Sequence, residues 1–138
     1  MVAEEIMTDD VVTLSETATL GEALQIMQER DIRHVPVLRA NGELVGMLSD
    51  RDLRSVGAAL VSDIESLDRM RARLGAPVSS LMSADIVSIE RETSLADIIE
   101  TLLEEKLSAL PVVDEETSEL VGIVSYVDVL RAVAEQVE

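Results

Sequence analysis

The chain is one unit written twice, and that duplication limits its fold more than any other feature. Residues 6–37 align with 81–112 at a shift of 75, matching at Met7/Met82, Asp10/Asp85, Val12/Val87, Leu20/Leu95, Glu29/Glu104, Pro36/Pro111 and Val37/Val112. After one added residue, a shift of 76 lays Glu43-Leu44-Val45-Gly46 on Glu119-Leu120-Val121-Gly122, Ser49 on Ser125 and Asp52 on Asp128. Any fold must therefore be built from two similar halves.

Each half carries the same local signals. Val11-Val12-Thr13-Leu14 and Ile86-Val87-Ser88-Ile89 are β-branched runs that predict a strand. Apolar residues then recur at helical spacing, Leu20, Ala23, Leu24 and Met27 in one half and Leu95, Ile98, Ile99 and Leu102 in the other. Thr19-x-x-Glu22 and Ser94-x-x-Asp97 mark the helix starts as capping boxes. Two strands follow, Val35–Leu38 and Leu44–Leu48, then Leu110–Val113 and Leu120–Val124, with Asn41-Gly42 marking the first turn as a hairpin. A helix closes each half, beginning near Asp50 or Tyr126. Its expected apolar stripe is Leu53, Val56 and Leu60 in the first copy, and Val129, Ala132, Val133 and Val137 in the second.

The order β-α-β-β-α predicts a mixed α/β (α+β) unit whose three-stranded sheet is too small to stand alone, so the two copies are expected to pack sheet to sheet. Ser62-Asp63-Ile64-Glu65 offers a further capping box, Ile64, Leu67 and Leu74 a stripe, and Gly75-Ala76-Pro77 a stop. These signals divide the chain into a first repeat at 1–61, a helical linker at 62–76 and a second repeat at 77–138.

Composition removes several chemistries. With no cysteine and one histidine in 138 residues, thiol nucleophiles, disulfides, thiolate zinc sites and His-rich metal sites are absent. Tyr126 is the only aromatic residue, so no stacking platform for bases exists and the core must be aliphatic. Twenty-eight acidic residues against eleven basic give a net charge of −17, which disfavours nucleic acid and anionic lipid. No apolar run reaches the ~18 residues of a membrane span, and Met1-Val2-Ala3-Glu4-Glu5 lacks a basic leader, so the expected compartment is the cytoplasm. Solubility is the plain reason for the acidity; a high-salt cytoplasm is a second.

The polar motif in each half is Gly-h-h-Ser-x-x-Asp, where h is apolar: GMLSDRDL at 46–53 and GIVSYVDV at 122–129. Ser49-x-x-Asp52 and Ser125-x-x-Asp128 fit a capping box. They also fit a second role, because a short carboxylate at a strand-to-helix junction can accept both hydroxyls of a ribose diol, and the adjacent helix N-terminus favours phosphate. Spacing alone leaves both readings open. The interior of the motif differs between copies, Asp50-Arg51 against Tyr126-Val127, and Arg33-His34 before the central strand has Ser108-Ala109 as its counterpart. Arg33, His34, Arg51 and Arg54 form the best available positive cluster for a polyanionic ligand, unless they pair with surrounding carboxylates. The acidic runs Glu104-Glu105 and Asp114-Glu115-Glu116 read as solvated surface.

Two copies of a segment opening Ile-Met-Thr or Leu-Met-Ser, with His-Val-Pro-Val or Ala-Leu-Pro-Val at the centre and Gly-h-h-Ser-x-x-Asp at the end, resemble a tandem pair of cystathionine β-synthase (CBS) domains, a Bateman module. The resemblance covers nearly the whole chain. It implies two β-α-β-β-α repeats packed with pseudo-twofold symmetry, two clefts drawing on both repeats, and pairing of modules into a flat homodimer. It implies an adenosine-containing ligand, AMP, ADP, ATP or S-adenosylmethionine, and a regulatory role toward an unknown protein without catalysis. No cofactor is required, although Mg²⁺ would accompany ATP. Carried over residue by residue, one cleft would use Asp128, Ser125 and Ile123 with Thr8, Val12, Ile32 and Arg33. The other would use Asp52, Ser49 and Met47 with Ser83, Val87, Leu107 and Ser108. His34 and Arg51 would stand at the phosphate end.

Overall fold

The computed structural model describes residues 1–58 and 64–137, and the side chains of 1–54 and 68–137. The capping box expected at Ser62–Glu65 lies outside the described residues as a unit, as do Leu60 and the side chains of Val56, Ile64 and Leu67.

The elements run α1 (Ala3–Ile6), β1 (Leu14–Ser15), α2 (Leu20–Arg30), β2 (His34–Leu38), β3 (Leu44–Ser49), α3 (Asp50–Ala58) and α4 (Ile64–Leu74). A 3₁₀ turn at Val78–Ser80 leads into β4 (Ile89–Glu90), α5 (Leu95–Glu105), β5 (Ala109–Val113), β6 (Leu120–Ser125) and α6 (Tyr126–Gln136). The expected order is present twice, in two three-stranded sheets, β1-β2-β3 and β4-β5-β6. In each sheet the first strand pairs parallel to the central strand, which pairs antiparallel to the third.

The first strands are shorter than the β-branched runs suggested. Only Leu14-Ser15 and Ile89-Glu90 pair, to Val37-Leu38 and Val112-Val113. A β-branched run thus does not become a strand by itself; Val11, Val12 and Thr13 have no ladder partner and stay irregular.

Thr19 and Ser94 cap α2 and α5, their hydroxyls accepting from the N–H of Glu22 and Asp97 at 3.1 Å each. Both helices end on a non-glycine residue in the left-handed region, Asp31 at φ 52° and Lys106 at φ 55°. Each end is a Schellman turn: Ile32 donates to the Met27 carbonyl and Leu107 to that of Leu102, both at 3.1 Å.

The compact units are offset from the sequence repeats. Unit 1 is Met1–Val11 with Val87–Glu138, and unit 2 is Val12–Ile86. Each repeat's leading segment therefore belongs with the body of the other repeat. In unit 1, Ala3 N–H donates to Thr93 O (2.9 Å) and Leu95 N–H to Met1 O (3.0 Å). In unit 2 the same bonds recur 75 residues away in the opposite assignment, Val78 N–H to Ala18 O (2.7 Å) and Leu20 N–H to Ala76 O (2.9 Å). Neither α1 nor the 3₁₀ turn was expected. They bury Ala3 and Val78 completely in their units.

Each unit has its own aliphatic core. Leu14, Leu20, Ala23, Met27, Val35, Val37, Leu48, Leu53 and Val78 form one. Ala3, Ile89, Ile98, Leu102, Leu110, Val112, Val124 and Val129 form the other. The expected stripe of α6 is only half buried: Val129 and Ala132 face the core, whereas Val133 and Val137 are exposed.

Candidate functional site

The glycine that opens each motif is where the leading segment crosses the sheet. Thr8 and Ile123 exchange both backbone hydrogen bonds, at 2.9 and 3.0 Å, as do Ser83 and Met47 at 2.9 and 3.0 Å. The preceding methionine then lies over the strand glycine. A Cβ on Gly122 would stand 2.4 Å from Met7 Sδ, and one on Gly46 would stand 2.2 Å from Met82 Sδ. Glycine is required here for close approach rather than for backbone conformation. The crossing brings Thr8 beside the strand that delivers Ser125 and Asp128, and Ser83 beside the strand that delivers Ser49 and Asp52.

Both serine–aspartate pairs are built as capping boxes. Asp128 N–H donates to Ser125 Oγ (3.2 Å), while Asp128 Oδ2 accepts from the Ser125 backbone N–H (2.8 Å) and hydroxyl (3.0 Å). In the first copy, Asp52 N–H donates to Ser49 Oγ (3.2 Å) and Asp52 Oδ2 accepts from Ser49 N–H (2.9 Å). The first N–H of each helix is held by the residue ahead of the central strand: Asp50 donates to Arg33 O and Tyr126 to Ser108 O, both at 2.9 Å. Among the described residues, Asp128 Oδ1 accepts no hydrogen bond.

Thr8, Ile123, Ser125 and Asp128 thus come together in unit 1, with Leu107 and Ser108 at the foot of α6 and Val87 packed on the core. Met47, Ser49, Asp52 and Ser83 come together in unit 2, which also holds Val12, Ile32, Arg33, His34 and Arg51. Ile32 packs against the core of that unit and His34 pairs with Ser49 across the sheet.

Carboxylates stand close to two members of the expected positive cluster. Burial lowers the His34 pKa below its ordinary value, opposed by the charges of Asp50 and Asp52. Arg54 lies 3.8 Å from Asp50 in an exposed i,i+4 pair. Such a pair is worth little and leaves the guanidinium able to exchange partners. Arg33 lies near His34, and its charge also lowers that pKa, and it lines the same groove as Arg54.

One acidic run is not simply solvated. Asp114 pairs with Arg91, which also reaches Glu4 at 3.5 Å, and Asp114 Oδ1 accepts from the N–H of Glu116 (2.9 Å) and Thr117 (3.0 Å). These bonds, the Arg91 one first, hold its carboxyl down at about 2. Among the described residues no group of three His, Cys, Asp or Glu could hold a metal ion, and no helix is long and apolar enough to cross a membrane.

Comparison with known proteins agrees with this geometry. A CBS domain-containing protein of Bacillus subtilis, YhcV, is 34% identical over 125 residues, covering 91% of this chain and 80% of its own length. Inosine-5′-monophosphate dehydrogenase of Methanocaldococcus jannaschii is 27% identical over 129 residues, but the chain spans only 23% of that enzyme. Among solved structures, CBSX2 in complex with AMP superposes with a TM-score of 0.82 at 27% identity, covering 99% of this chain and 98% of that one. The family description "CBS domain" matches at residues 2–59 and again at 78–135. Duplicated sheet, crossing segment and capped aspartate all recur within those two spans, and the chain belongs to the CBS domain family as a tandem pair.

Proposed function

We propose that this CBS pair is a non-catalytic, cytoplasmic regulatory module. It binds an adenosine-containing ligand (AMP, ADP, ATP with Mg²⁺, or S-adenosylmethionine) and passes its binding state to a homodimer contact or a regulated protein. The observation that carries this reading is the Asp128 carboxylate. One oxygen is fixed by Ser125, and the other accepts nothing within the described protein. A preoriented acceptor of this kind suits a ribose diol, since charge-assisted hydrogen bonds to a fixed carboxylate are strong and need no rearrangement. AMP in CBSX2 supports the ligand class. Occurrence of the same segment within a dehydrogenase and within a homoserine O-acetyltransferase of Methanohalophilus mahii supports a role separable from any one chemistry.

In this reading Thr8 and Ile123 stand with the Asp128 carboxylate, and Met47 and Ser83 with that of Asp52. Arg33, Arg51 and Arg54 give the first repeat the greater capacity for phosphate. Ligand acts only through differential affinity for two states of the module.

Calorimetry with AMP, ADP, ATP–Mg²⁺ and S-adenosylmethionine tests this. Ser125→Ala and Asp128→Ala both weaken the cap, but only Asp128→Ala removes the ribose acceptor. Binding lost in Asp128→Ala and largely retained in Ser125→Ala is the expected result. The complete capping box favours one competing reading, a ligand-free dimerisation scaffold. Silence across the whole panel would establish that reading and remove ours.

A further inference from the structure

Met7 and Met82 are the one pair of methionines that the duplication aligns, and each covers a strand glycine of its own unit. The sulfur fills the place a Cβ would take, 2.4 Å from that position on Gly122 and 2.2 Å from it on Gly46. Both side chains are half-buried and pack on an aliphatic core, Met7 on the one that holds Ile89 and Val124, Met82 on the one that holds Val35 and Leu48. The next residue in each copy is bonded to the sheet. Thr8 and Ile123 exchange two main-chain hydrogen bonds, as do Ser83 and Met47, and residues 9–13 and 84–88 beyond them are in neither strand nor helix. At the crossing itself the hold is two hydrogen bonds and one thioether.

The chain has no cysteine, so its six methionines are its only sulfur. A thioether reduces a hydroperoxide without any cofactor. A sulfur lone pair attacks one peroxide oxygen, an S–O bond forms as the O–O bond breaks, and the departing hydroxide takes the proton from the transferred oxygen. One sulfoxide and one water result, sulfur having given up two electrons.

We propose that Met7 and Met82 are oxidation sites through which a hydroperoxide loosens the two crossings. A sulfoxide oxygen held against aliphatic side chains without a donor is costly, so the oxidised side chain turns out to water. Its place over the glycine is then open, and water reaches the two hydrogen bonds beside it. Met27, at 5% exposure inside its core, is shielded, and Met1, at 42%, covers no crossing. Thr8 and Ser83 stand with the two carboxylates of the reading above, and on that reading an oxidised chain also binds its adenosine ligand more weakly.

Residue-by-residue hydrogen exchange, on the whole chain without nucleotide before and after hydrogen peroxide, tests the proposal, with peptide mass spectrometry locating the added oxygen. One oxygen is expected on each of Met7 and Met82, with exchange about tenfold faster at Thr8, Ile123, Ser83 and Met47 and unchanged at Val37 and Val112 in the central strands. Methionine sulfoxide reductases A and B together are expected to restore the original rates. Met7→Leu combined with Met82→Leu keeps the volume but not the sulfur, and is expected to hold its protection in peroxide. Should that variant exchange fast before any peroxide, reversal by the reductases in the wild type decides instead. Peroxide that leaves both methionines unmodified overturns the proposal, as does their oxidation with unchanged exchange. So does protection lost equally in the central strands, which is general unfolding. A leucine variant that loosens in peroxide as the wild type does assigns the effect to half-buried Met47 or Met70 and overturns it too. AMP calorimetry on the same samples is expected to show weaker binding in the oxidised wild type alone. No AMP binding in any sample would remove the ligand reading and leave the exchange result standing.

Discussion

Replacing Gly122 by alanine tests how the leading segment is held. The new Cβ would meet Met7 Sδ at 2.4 Å, Met7 Cγ at 2.9 Å and the Thr8 carbonyl oxygen at 3.0 Å. A thioether swings away cheaply, but the Thr8 oxygen is main chain and accepts from Ile123 N–H at 3.0 Å, so relief requires the whole crossing to shift. Overpacking of this kind costs about 1–3 kcal/mol. At the matching Gly46→Ala the three nearest atoms are all in the Met82 side chain, at 2.2, 2.8 and 3.1 Å, and the change is expected to cost less. Urea unfolding with a common slope gives both values, and native-state hydrogen exchange at Thr8 reports the crossing directly. Met7→Ala combined with Gly122→Ala should be less destabilising than the two single costs summed, because the deleted thioether leaves room for the methyl. If Gly122→Ala unfolds at the wild-type midpoint with unchanged protection at Thr8, the steric account of the glycine is wrong.

Four further outcomes follow from the geometry. Asp128→Ala should lower stability by about 0.5–2 kcal/mol through loss of the cap, read by urea titration without ligand. Lys106→Gly relieves a left-handed residue and should stabilise by up to about 1 kcal/mol in the same assay. Asp114 is held at about 2 against an ordinary 3.8, so its contribution is present above pH 4 and is lost as pH falls toward 2. Arg91→Gln should flatten that acid limb of the melting curve. His34 is held below 6.5, so the unfolded state takes up its proton first and stability should fall as pH drops below about 6.5; a smaller fall in His34→Gln checks the assignment.

Much of this fold could be read from residue spacing because its signals are local. The stripes of α2 and α5, caps at Thr19 and Ser94, and starts at Asp50 and Tyr126 depend on neighbours within a few residues, and the structure has each of them. The first strands and α1 depend on partners far along the chain. Val11-Val12-Thr13 looks like a strand but is given no edge to pair with, and Ala3-Glu4-Glu5-Ile6 is too short to signal itself. The Ser-x-x-Asp pairs were visible as caps, while the freedom of Asp128 Oδ1 is a fact of geometry that no spacing contains. The lowered His34 pKa was equally hidden, since burial is decided by packing. Gly46 and Gly122 did carry a readable sign: a glycine amid apolar strand residues marks close approach, and Met7 and Met82 stood in the alignment as what approaches.

The offset between repeats and units changes what a cut in the chain would do. Producing residues 1–58 and 64–138 as separate chains would leave two pieces, neither holding a whole unit. The first keeps the body of one repeat but has lost residues 78–83, and the second has lost residues 1–8. Each fragment carries the piece that the other lacks, so mixing them should regenerate structure that neither forms alone. The duplication thereby makes the halves mutually dependent, as if each repeat were folded with the other's key.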